Sequence, residues 1–141
     1  MNMTFLSMRF LITLIATIFT TMLQAQGLYR LAEIEIYPQY LKEYLAAAAE
    51  IQKASLAEEP GVVCLFPTQL KEDSTQIRIL EIYASQEAYQ HHIKTGHFLK
   101  YKQGTLHMVK HLKLNDLQPL TSETMNTLFK RFDMKLYDKQ K

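Results

Sequence analysis

Three of the five histidines, His91, His92 and His97, fall within seven consecutive positions. They end the segment Glu81-Ile82-Tyr83-Ala84-Ser85-Gln86-Glu87-Ala88-Tyr89-Gln90-His91-His92-Ile93-Lys94-Thr95-Gly96-His97-Phe98. Imidazole changes charge near neutrality, so such a cluster can accept or supply protons at working pH. On one continuous helix, His92 and His97 would lie five steps, or about 140°, apart and face different ways. A break at Gly96 would let both turn toward one cavity. The plainer alternative is that His91 is solvated and the other two are helix-surface or capping residues. No glycine-rich phosphate loop, nucleophile elbow or zinc-ligand spacing accompanies the cluster, so no metal ligand set is expected.

The elements that must position these residues are legible in the hydrophobic periods. Leu28 to Tyr37 alternates as a strand does and stops at Pro38. Gln39 to Ala57 carries Leu41, Tyr44, Leu45, Ala48, Ile51 and Leu56 on one helical stripe, and Glu58-Glu59-Pro60-Gly61 ends it. Val62 to Leu70 reads as a second strand, in which Pro67 argues for an edge position or a bulge. The polar turn Lys71 to Thr75 makes a hairpin with a third strand, Gln76 to Ala84. Ser85 is placed to cap a helix running to about Lys94. A further helix from His97 to about Met108 puts Phe98, Tyr101 and Thr105 on one side, and Val109 to Leu114 alternates as a fourth strand. The order β-α-β-β-α-β is the ferredoxin-like arrangement of the α+β class. Both faces of the first and third strands carry apolar or aromatic residues, including Tyr29, Leu31, Leu80 and Ile82. Helices cover only one of those faces, so a second copy is expected on the other.

The two ends differ from this domain, which spans 26–117. Residues 1–25 show a short start ending in Arg9, an uncharged apolar run from Phe10 to Leu23, and a small residue at Ala25. That order predicts a signal peptide and an exported, periplasmic or secreted protein. The 14-residue run is shorter than the roughly 20 residues a membrane span needs, so no stable span is expected after cleavage. Residues 118–141 form a tail whose Met125, Leu128, Phe129, Phe132 and Leu136 follow a helical period, which predicts an amphipathic helical extension. The net charge is only +2 and the basic residues are dispersed, so nothing marks a nucleic-acid partner. The single cysteine, Cys64, excludes an internal disulfide, and the absence of tryptophan excludes any site built on an indole.

A strand bearing Glu-x-Tyr, a short acidic helix start and then His-x4-His-Phe resembles the antibiotic biosynthesis monooxygenase family, including its quinol monooxygenases. Glu59-Pro60-Gly61 before the second strand is similar to that family's entry to the strand, and the resemblance covers roughly residues 28–116. It implies a homodimer of ferredoxin-like subunits forming a dimeric α+β barrel, with a small-molecule pocket between sheet and helices. It also implies oxidation of a small phenolic or quinol substrate by O2, without metal, flavin or other cofactor. In that setting His92 and His97 would serve as base or proton shuttle, Glu81 would orient an imidazole, and Tyr83, Phe98 and Tyr101 would line the substrate pocket. Tyr83 stands where relatives often carry Trp. Three other functions fit the same fold: haem degradation, isomerisation, and non-catalytic binding of a small aromatic ligand. The missing indole weighs against the first.

Overall fold

Four antiparallel strands and three helices account for the described part of the chain, residues 27–121 of a computed structural model. The expected signal peptide and the apolar stripe of the tail lie outside the described residues. The strands are β1 (Leu28–Ile36), β2 (Val62–Gln69), β3 (Gln76–Tyr83) and β4 (Val109–Leu117), and the helices are α1 (Leu41–Glu58), α2 (Gln86–His92) and α3 (Gly96–Thr105). Single 3-10 turns at Pro38–Tyr40 and Leu106–Met108 lead into α1 and β4. Strand order is β2-β3-β1-β4, with β1 pairing antiparallel to both β3 and β4. This is the ferredoxin-like sheet that the element order predicts. Pro67 lacks an N–H to donate, and β2, which carries it, is indeed an edge strand.

Alternation along β1 decides which face meets the helices. Ala32, Ile34 and Ile36 are buried, and they join Ile77, Ile79, Val62 and Leu65 of the neighbouring strands beneath Tyr44 and Ala48 of α1. Side chains at i and i+2 share a face of a strand, so the intervening Tyr29 and Leu31 lie on the side the helices leave bare. There, Leu31 stands opposite Leu80, and Leu80 opposite Phe66, which is 57% exposed. Among the described residues no helix is long and apolar enough to cross a membrane.

Two local features depart from the sequence expectation. The helical break falls at residues 93–95, so it takes in Thr95 but not Gly96, which opens α3 as an ordinary helical residue. Thr95 makes the break: its backbone is extended, its Oγ1 accepts from the Phe98 N–H at 3.3 Å and donates to the His92 carbonyl at 2.8 Å. The fourth strand also runs three residues further than the alternation predicts, to Leu117, because β1 offers it a full-length antiparallel partner.

Candidate active site

Glu59 is placed by the residue that follows it. A proline disfavours helical backbone in its predecessor, and Glu59, ahead of Pro60, adopts φ −117° and ψ 96° at the end of α1. Its side chain turns inward and is 3% exposed. The turn is then fastened on two sides. The Gly61 carbonyl accepts from the Ala84 N–H at 2.8 Å, and Gly61 packs so closely on α2 that an added Cβ would stand 2.6 Å from that of Ala88.

Across this turn, α2 and α3 each deliver one histidine to the same carboxylate oxygen. Oε1 of Glu59 lies 2.9 Å from Nδ1 of His92 and 2.5 Å from Nε2 of His97. A carboxylate only accepts, so both nitrogens carry the shared hydrogens. His92 is thereby held as the Nδ1–H tautomer, with Nε2 left as its basic atom. Burial opposes charge on Glu59, but the hydrogen bonds from His97 and His92 outweigh it and hold this carboxyl below its ordinary range. Phe98 meets the His92 ring edge-on at 4.9 Å, and the Tyr83 ring lies 5.3 Å from it. His91, with its side chain 72% exposed, approaches Glu59 only to 3.6 Å through Oε2.

His92 also borders a cavity of about 390 Å3 between the sheet and the helices, within the usual range for small-molecule pockets. Its walls are largely apolar, and its polar groups include Arg30, Glu81 and the phenols of Tyr44, Tyr83 and Tyr101. Phe98 lines it as well, so all three predicted pocket residues do. His97 does not: it borders a smaller depression between α1 and α3. The break therefore joins the two histidines through Glu59 and leaves only His92 at the main cavity.

Glu81 differs from its expected role. It stands on the cavity face of β3, where its neighbour two residues on is Tyr83, and it accepts from the Tyr83 hydroxyl at 3.1 Å. The carboxylate that meets the imidazoles is Glu59. Burial pushes the Glu81 carboxyl above its ordinary range, against the opposing hydrogen bond from Tyr83 and the charge of Arg30. Arg30, its cross-strand partner, lies 4.5 Å over the Tyr89 ring and binds Oδ1 of Asp116 at 2.7 Å. Tyr44 and Tyr101 share a 2.7 Å hydrogen bond, and burial holds both phenols protonated well past neutrality.

The sequence profile of antibiotic biosynthesis monooxygenases matches residues 28–104, which include the whole cluster. The chain belongs to the antibiotic biosynthesis monooxygenase family. A solved structure from Bacteroides thetaiotaomicron VPI-5482, described as a "putative antibiotic biosynthesis monooxygenase", is 46% identical. Its match covers 68% of this chain and 91% of that one, with a TM-score of 0.67. A "putative monooxygenase" from Lactobacillus acidophilus NCFM is 27% identical over 67% of this chain and 45% of its own, with a TM-score of 0.65. A structure from Caulobacter crescentus CB15, at 22% identity and a TM-score of 0.65, covers 70% of this chain and 95% of that one, and shows the shared fold. No curated protein matches the chain.

Proposed function

We propose that this member of the family is a cofactor-independent monooxygenase that oxidises a small phenol or quinol with O2 in the cavity beside His92. The observation that carries the reading is the tautomer set by Glu59: a histidine at the pocket wall whose Nδ1–H is committed to a buried carboxylate, leaving Nε2 as base. This is the base-and-orienter logic of nucleophile activation, here applied to a substrate hydroxyl.

His92 Nε2 takes the phenolic proton, and anionic Glu59 stabilises the imidazolium. The phenolate passes one electron to O2. Superoxide and phenoxyl then combine at a ring carbon, and the resulting peroxide takes the proton back from the His92 imidazolium and loses water to leave a quinone. Phenol plus O2 becomes quinone plus water, so atoms and electrons balance. The apolar walls favour this course by excluding water from the charged intermediates. Glu81, Tyr83 and Tyr101 supply hydrogen-bonding groups that orient the ring oxygens.

Purified protein is to be tested with a panel of quinols and polyphenols while dissolved oxygen is followed. Substrate-dependent oxygen uptake with quinone formation supports the proposal. Saturable binding of the same compounds without uptake would instead identify a binding protein. A homodimer joined through the bare sheet face, and export with cleavage near Ala25, complete the proposal. Mass spectrometry of envelope protein checks the latter by a mature start near Gln26, and an intact Met1 form in the cytosol contradicts it.

A further inference from the structure

Glu59, His92 and His97 each offer one ligand atom, and these atoms all lie within 4.8 Å of one another. Zinc-type ions bind imidazole nitrogen at about 2.0–2.1 Å and carboxylate oxygen at about 2.0–2.2 Å, so ligand atoms around one ion stand about 3–3.5 Å apart. The oxygen-to-nitrogen separations of 2.9 and 2.5 Å are close to that already. Withdrawal of the carboxylate and adjustment of the two imidazoles to a common centre would seat an ion. A second observation points the same way. Oε2 of Glu59 is buried and makes no hydrogen bond among the described residues, with the exposed His91 Nδ1 approaching it at 3.6 Å, although an unsatisfied buried carboxylate oxygen is costly. A cation would satisfy it. The surface lies close by, since Glu58, 68% exposed, approaches Nδ1 of His97 at 3.6 Å.

We infer that Glu59, His92 and His97 form a binding site for one divalent ion of the zinc type, and that the ion switches the base off. Two imidazoles and one carboxylate leave a fourth tetrahedral position for water. The site was not visible as a spacing because its carboxylate comes from the end of α1 and its histidines from α2 and α3. Coordination requires lone pairs on the two nitrogens that now donate to Oε1. Each neutral ring must therefore carry its hydrogen on the opposite nitrogen. For His92 that places the hydrogen on Nε2, the atom that would otherwise accept a substrate proton. Binding of the ion stands on the cluster geometry alone, whereas inhibition rests on the proposed oxidation.

Chelator-stripped full-length protein titrated with zinc chloride in a calorimeter should bind one ion per chain. His92→Ala and His97→Ala should each weaken binding at least about tenfold, while His111→Ala, on exposed β4, should not change it. Equal binding by wild type and both cluster variants, or no binding at all, overturns the site. Should the variants fail to fold, imidazole NMR of the wild-type protein decides. Zinc should shift the His92 and His97 ring signals and spare those of His107 and His111, and the reverse pattern overturns the site. Oxygen uptake with a quinol should fall as the ion binds, and uptake that is unchanged or rises overturns the inhibition. A chain that binds zinc through this cluster yet oxidises nothing, with or without the ion, overturns the proposed function and leaves the site standing.

Discussion

Oε1 of Glu59 and Nδ1 of His92 meet at 2.9 Å across 33 residues of chain, both side chains 3% exposed. Neither residue is placed by the other's element. Glu59 is turned inward by Pro60 at the end of α1, and His92 closes α2, whose start Ser85 caps by accepting from the Ala88 N–H at 3.2 Å. The pair therefore reports on how faithfully α1, α2 and the turn between α1 and β2 are assembled.

That assembly has a tight point at Gly61. Gly61→Ala would press its Cβ on Ala88 at 2.6 Å, and overpacking of this kind costs about 1–3 kcal/mol. Gly96→Ala provides the contrast, since nothing lies within 4 Å of the new Cβ at the first position of α3. Restricting the unfolded chain there should stabilise by about 0.4–1 kcal/mol. Urea unfolding of the two variants should move the midpoint in opposite directions. Midpoints that move together contradict this packing.

Thr95 joins α2 to α3 by two hydrogen bonds, one to the His92 carbonyl and one from the Phe98 N–H. Thr95→Val keeps the shape and loses both. Loss of an N-cap costs about 0.5–2 kcal/mol, and hydrogen exchange should show faster opening of the first turn of α3 than of α1. Unchanged exchange at Phe98 would mean the cap is idle.

Stability should depend on pH through Glu59. Its carboxyl is held below the ordinary range in the folded state, so it contributes stability that is full above the unfolded value near 4.3. That contribution is lost as pH falls through the folded value. Glu81 has the opposite sign: its raised folded value favours the neutral acid, a contribution present at low pH and lost as pH rises through that value. Urea midpoints of wild type and Glu59→Gln should therefore converge as the solution is acidified below about pH 4. A gap that stays constant to pH 3 contradicts the assignment.

Much of the scaffold was legible in the sequence because it depends on local periods. Alternation located β1 and β3, the Ser85 cap marked the start of α2, and Pro67 announced an edge strand. The histidine cluster was visible as well, and the exposed His91 and buried His92 follow from their being one helical step, about 100°, apart. Glu59 was hidden because its neighbours Glu58, Pro60 and Gly61 give it the look of a helix stop, and its partners lie 33 and 38 residues away. The Glu81–Tyr83 bond was within reach, since i and i+2 share a strand face. The break at Thr95-Gly96 was legible too, but not that Thr95 makes it as the cap of α3, although a threonine three residues ahead of a free N–H is the usual capping signal.

The bare face of the sheet should be covered by a second copy. The row Leu31, Leu80 and Phe66 is continuous across three strands, and apolar rows of this kind on a sheet face invite association. Light scattering of the full-length protein should give twice the 16.5 kDa chain mass, and Phe66→Glu should shift it toward the monomer. A wild-type monomer at micromolar concentration contradicts the packing.

The central claim is that His92, held by Glu59, removes the substrate proton. The most direct measurement is quinol-dependent oxygen uptake by His92→Ala, Glu59→Gln and His91→Ala, each checked for folding by circular dichroism. Loss of a general base costs about 10²–10⁴-fold, so His92→Ala should fall by that range. Glu59→Gln, which removes the charge that supports the imidazolium, should lose less than His92→Ala, and His91→Ala should remain close to wild type. Equal rates for the folded His91 and His92 variants would contradict the account.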